Sequence, residues 1–175
     1  MKHLKWLSLL LAFTLFCVCS GGCSTVTKQD PLKTLRCARF ITASDGDLLF
    51  TMEWSETNGV YRSIFRFSSP ELLRPLTVTA TDGKIIASYQ GLETEVTDEF
   101  CAKILPLSRA MHAFRSSNAE TGKHGEQSYL SATLDGTTFL MYYDPASGVF
   151  TRLEWSGVIG SGGLDILSCT ETESE

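Results

Sequence analysis

Through most of the chain apolar residues fall at every second position, the period of a half-buried β-strand, and the alternating runs are separated by Gly preceded by Asp or Asn. Asp45-Gly46, Asn58-Gly59, Asp82-Gly83 and Asp135-Gly136 each stand between two such runs. A two-residue hairpin turn needs both central residues to tolerate positive φ, so these four dipeptides predict tight antiparallel hairpins. The run before Asp45 (ARFITAS) meets the run after Gly46 (DLLFTMEWS), in which Leu48, Phe50, Met52 and Trp54 share one face. Val60 to Ser68 puts Tyr61, Phe65 and Phe67 on one side and Arg62 and Arg66 on the other, and pairs with its predecessor through Asn58-Gly59. After Pro70, Leu76, Val78 and Ala80 alternate with threonines. Ile85, Ala87 and Tyr89 follow Asp82-Gly83, and Gly91 sets off a short run from Leu92 to Val96.

The period then changes. Phe100, Ile104, Leu107, Met111 and Phe114 recur at spacings of four and three, and Thr97 or Asp98 can cap a first turn, which predicts a helix over about 98–116. Pro106 lies inside it and predicts a kink, because proline removes a backbone hydrogen bond. The polar stretch Ser116 to Gly125 predicts a mobile loop. Strand patterns return at Gln127 to Leu134, Thr137 to Tyr143 and Val149 to Trp155, with a weaker one at Leu164 to Cys169. Gly157 to Gly163 follows a strand with no helix after it, which predicts a turn rather than a phosphate-cradling loop. One helix cannot flank both faces of a parallel sheet, and connections this short force antiparallel pairing. The predicted class is α+β, mainly β: a strongly curved antiparallel sheet of about ten strands, an open half-barrel, with the helix packed on its concave face. A closed barrel is the alternative.

Upstream of the strands the pattern is that of an export signal. Met1 to Lys5 is short and basic, and Trp6 to Val18 is an uncharged apolar run of 13 residues, short for a hydrocarbon core about 30 Å thick. Ser20-Gly21-Gly22-Cys23-Ser24 follows and resembles the lipobox of bacterial lipoproteins, in which small residues precede a cysteine. Cys17 and Cys19 follow the large residues Phe16 and Val18, where a lipoprotein peptidase needs a small one. The resemblance implies that Cys23 becomes the lipid-modified first residue of the mature protein. Residues 1–22 are then a signal peptide, 23–35 a lipidated tether, 36–170 a single antiparallel β domain, and 171–175 an acidic tail. It also implies a place on the extracytoplasmic face of a bacterial cell membrane, held there by acyl chains worth about 0.8 kcal/mol per buried CH₂.

A second resemblance covers about Phe50 to Ile166. Phe65 to Glu93 is similar to a segment of the lipoprotein-carrier-like half-barrel family of the bacterial envelope. There an aromatic-rich strand ends in a Pro-x-x-Leu turn, here Pro70-Glu71-Leu72-Leu73. A later strand reaches a Tyr-x-Gly-Leu step before a helix, here Tyr89-Gln90-Gly91-Leu92. The run from Phe139 to Asp144, through Gly148, resembles the hairpin before that family's final strands. The resemblance implies an open barrel around an apolar cavity, with helical cover over lipid chains. The residues themselves leave two readings of Phe50, Met52, Trp54, Phe65, Phe67, Met141 and Tyr143: they are the core, or they line a ligand cavity if the helix leaves the concave face open.

Composition narrows the partners. Residues 1–22 hold Lys2 and Lys5 and no acid, so their removal turns a net charge of −5, from 15 basic and 20 acidic residues, into −7 from 13 and 20. Such a surface lacks the clustered cations that phosphate binding requires, which excludes nucleic acid. Hydrophobic residues at 43% and charged residues at 20% exclude wholesale disorder and a multi-span membrane protein. His112 and His124 have no companion at metal-ligand spacing, and no Gly-x-Ser-x-Gly or Ser-x-x-Lys motif is present. Glu93 and Glu95 alternate on a strand, and Glu154 stands alone, as on a solvated face. No enzyme, cofactor or metal is expected. Cys37 and Cys169 lie on the first and last strands and either form a disulfide, which export permits, or stay as small buried thiols beside a packed Cys101. The expected protein is a membrane-anchored lipoprotein that binds a lipid or other apolar ligand. The alternative is a non-enzymatic structural or interaction module for another envelope protein.

Overall fold

A computed structural model describes residues 37–44, 48–81, 83–117 and 119–172. The alternating runs build two antiparallel meanders. The first runs outward through β1 (Cys37–Ser44), β2 (Leu48–Thr57), β3 (Val60–Ser69), β4 (Leu76–Thr81), β5 (Lys84–Tyr89) and β6 (Leu92–Glu95). The second runs inward through β7 (Glu120–His124), β8 (Gln127–Leu134), β9 (Thr137–Tyr143), β10 (Phe150–Gly157) and β11 (Gly160–Glu171). They join where β1 pairs with β11, giving one unclosed, curved sheet in the order β6-β5-β4-β3-β2-β1-β11-β10-β9-β8-β7. The helix α1 (Leu105–Ser116) lies between β6 and β7 in the chain and packs on the concave face.

The expected turn chemistry is present at Asn58-Gly59 (φ 53° and 79°) and Asp135-Gly136 (φ 49° and 73°), both residues left-handed as a two-residue hairpin of this hand requires. Asp45-Gly46 lies outside the described residues. A further turn of the same kind is built by Gln90 (φ 51°) and Gly91 (φ 85°). Register then fixes the faces. Phe50 lies opposite Phe67 and Met52 opposite Phe65, so the aromatic and Met positions of β2 and β3 meet on the concave side. Arg39, Glu53 and Arg66 fall on the convex side, where Glu53 accepts from Arg39 at 2.8 Å and from Arg66 at 2.5 Å. Those two guanidiniums, Arg66 foremost, hold the Glu53 carboxyl below its ordinary 4.5.

Three expectations are corrected, and one open alternative is decided. The helix begins at Leu105, not near residue 98. Pro106 sits in its first turn, where a missing N–H costs no helical bond, so it starts the helix instead of kinking it. Residues 97–104 form successive tight turns, with Phe100 N–H donating to Thr97 C=O and Ile104 N–H to Cys101 C=O, and they turn Phe100 out to 64% exposure. Second, the expected mobile loop contains β7, an exposed edge strand whose polar sequence hid it. Third, the Gly-rich turn is mostly strand, since β11 starts at Gly160 and continues through Glu171 into the expected tail. Gly162 is needed there because the Trp155 ring crosses it: a β-carbon would stand 2.5 Å from Trp155 Cζ2. Finally, Cys169 is a free thiol opposite Phe40. The Cys37 backbone is three residues farther along β1, about 10 Å at the strand rise and beyond disulfide reach, so of the two readings given for Cys169 the bridge to Cys37 does not form and the thiol stays.

Candidate binding cleft

The seven residues expected either as core or as a cavity wall are core. Phe50, Met52, Phe65 and Met141 have no exposed surface, Trp54 has 1% and Phe67 8%, and Tyr143 is partly buried against the same cluster. Phe50 packs its ring 6.0 Å from Phe65 and 6.1 Å from Phe67, and Tyr143 meets Phe150 at 6.4 Å. The two sets belong to opposite arms, β2–β3 and β9. Leu107, Met111 and Phe114 of α1 belong to the same buried cluster.

What stays open is a cleft of about 310 Å³ where α1 crosses the end of the half-barrel that carries the β4–β5 and β8–β9 turns. Its walls combine Tyr61, Thr81, Lys84 and Ile85 with Asp98, Ser108, Arg109 and His112, and Leu134 and Asp135 close the far side. The helix supplies its share because Leu105, Ser108, Arg109 and His112 fall at spacings of three and four, on the face away from Leu107 and Phe114. Arg109 is held by an ion pair with Asp98, and the Ser108 and Ser63 hydroxyls share a hydrogen bond of 2.7 Å that ties α1 to β3. Arg115 reaches Glu56 at the end of β2, 2.7 Å away and largely shielded from water.

An aromatic series leads from this cleft into the core. His112 lies 4.4 Å from the Tyr61 ring, and Tyr61 stacks on Trp54 at 6.1 Å. The indole N–H of Trp54 is buried without a hydrogen-bond partner, an arrangement that costs about 1–3 kcal/mol. Taken alone in sequence, His112 has only a surface or core role; the polar stripe Ser108, Arg109 and His112 on one helical face is the signal that marks its neighbours. His124 sits on β7 away from the cleft, and Glu93 and Glu95 are exposed on β6. Glu154 lies on the convex face, where Arg152 foremost holds its carboxyl below the ordinary value and Tyr142 donates to it at 3.1 Å. Burial pushes the thiols of Cys101 and Cys169 up to about 11, which leaves both protonated and weakly nucleophilic at neutral pH. Among the described residues no group of three or more His, Cys, Asp or Glu side chains is placed to hold a metal ion, and no helix is long and apolar enough to cross a membrane.

No protein-family model matches the chain, and no curated protein is significantly similar to it.

Proposed function

We propose that the protein is anchored through Cys23 on the extracytoplasmic face of a bacterial membrane and takes up an acyl chain or similar apolar ligand between α1 and the curved sheet. The observation that carries this reading is an unclosed sheet whose aromatic and Met concave face is packed under a single 12-residue helix. Because that face is filled, ligand entry means that α1 moves. Exposing Leu107, Met111 and Phe114 costs about 1.5–3 kcal/mol each, so roughly 5–9 kcal/mol for the three. An alkyl chain of about ten carbons, at about 0.8 kcal/mol per CH₂, returns a similar amount when it replaces the helix. The exchange is therefore near balance, as uptake and release require. The second reading, a rigid interaction module, is favoured by the complete burial of Phe50, Met52, Phe65 and Met141.

A covalent lock separates the two. The Ser63 and Ser108 oxygens are 2.7 Å apart, close enough for Ser63→Cys with Ser108→Cys to form a disulfide between β3 and α1. In the chain without its first 23 residues, an environment-sensitive fatty-acid probe is expected to bind the reduced double variant and to lose at least tenfold in affinity on oxidation. Equal binding in both redox states would show that α1 is not the gate, and no binding in either would leave the interaction module.

Anchoring has its own test. Cys23→Ala is expected to abolish palmitate labelling in cells and to leave the precursor uncleaved by the lipoprotein peptidase. Undiminished labelling would place the anchor elsewhere.

A further inference from the structure

Among the described residues the open sheet ends in two edge strands, β6 and β7, and they are built differently. In the β7–β8 hairpin His124 pairs with Gln127 across a two-residue turn, so His124, Gly122 and Glu120 direct their main-chain N–H and C=O groups toward β8. Thr121 and Lys123 direct theirs outward. By the same geometry β6, which pairs Leu92 with Tyr89, turns the main-chain groups of Glu93 and Glu95 outward. An edge with unpaired main-chain groups is a template for another strand unless charge blocks it. On β6 the block is present: matching its outward residues in an antiparallel self-pairing lays glutamate against glutamate, and like charges directly opposite are destabilising.

On β7 the same operation gives complementarity. Laid antiparallel on a second copy about Gly122, the strand puts Glu120 opposite His124 on the convex face and Thr121 opposite Lys123 on the other. Thr121 and Lys123 then exchange about four main-chain hydrogen bonds across the seam. At the centre Gly122 faces Gly122. The Tyr129 ring of each copy already lies over its own Gly122, where it fills the space a β-carbon would take, so the seam is capped by two aromatic rings. Centring on Lys123 would instead oppose two lysines, and centring on Thr121 would leave Glu120 facing glycine. We propose that β7 is a homodimerisation edge, pairing antiparallel with β7 of a second copy about Gly122. The contact is isologous, so it closes at two copies and does not propagate.

Cross-linking of the full-length chain in membranes tests the pairing and its register. Thr121 and Lys123 are exposed, so cysteines there leave the core untouched. The two positions face one another in a hydrogen-bonded pair about 5.5 Å apart at Cα, within disulfide range. With Thr121→Cys and Lys123→Cys together, mild oxidation is expected to raise the disulfide-linked dimer at least tenfold above the unsubstituted chain, whose own thiols set the baseline. Thr121→Cys alone should stay near that baseline, because Thr121 faces Lys123 and not itself. Adding Glu120→Lys should cut the cross-link several-fold, and adding His124→Glu as well should restore it, a rescue that a general loss of structure would not give. Baseline cross-linking in the double variant, equal cross-linking from Glu93→Cys with Glu95→Cys, or a ladder of higher oligomers would overturn the proposal.

Discussion

Phe65→Glu is expected to unfold the domain. Phe65 lies on β3 with no exposed surface, opposite Met52 on one side and Val78 on the other, and packs on the Phe50 ring. No cation lies among the buried residues of this cluster to pair with a carboxylate. The new side chain would remain protonated, and protonating a carboxyl of ordinary pKa about 4.3 costs roughly 4 kcal/mol at pH 7. Loss of the aromatic packing adds about 3–5 kcal/mol. Together these reach about 7–9 kcal/mol, within the total stability of an ordinary domain, about 5–15 kcal/mol. Arg62→Glu, on the exposed side of the same strand, is expected to change stability by no more than about 0.5 kcal/mol. Urea unfolding followed by circular dichroism compares the two. A folded Phe65→Glu variant that loses less than about 1 kcal/mol would mean that water reaches the concave face and that the seven aromatic and Met positions line a wet groove after all.

Strands were legible where burial on one face imposed alternation, and turns where positive φ required Gly after Asn or Asp. Both signals are strong in β2, where the concave positions Phe50, Met52 and Trp54 are large and the convex Thr51, Glu53 and Ser55 are polar. The failures have physical causes of their own. β7 is an edge strand with little buried surface, so nothing in Glu120 to His124 had to be apolar, and only its pairing with β8 defines it. Gly162 and Gly163 looked like a turn because strand interiors rarely hold glycine, but here the Trp155 and Arg152 side chains lie across them. Phe100 matched the helical spacing by coincidence of sequence, while Pro106 determined where the helix starts. The cleft was the least legible part. Lys84 and Asp135 come from separate hairpins and meet α1 only through the curvature of the sheet, which no local period encodes.

In α1, Leu107→Ala and Met111→Ala are each expected to lower stability by about 2–5 kcal/mol, since both side chains are fully buried. Phe100→Ala, in the same sequence stripe but turned to solvent, is expected to cost no more than about 0.5 kcal/mol. Leu107 and Met111 are one turn apart on the same face, so the double variant should depart from the sum of the singles by more than about 0.5 kcal/mol. Losses below about 0.5 kcal/mol at both core positions would mean that α1 does not hold the concave face. The same variants bear on function, because their effects on stability and on ligand affinity have opposite signs under the proposed exchange. If a ligand enters only when α1 is displaced, its apparent affinity scales with the population of the displaced state. A substitution that weakens the packed helix raises that population, so Met111→Ala should bind the fatty-acid probe more tightly even as it unfolds at lower urea concentration. A rigid interaction module would lose the stability and gain no affinity.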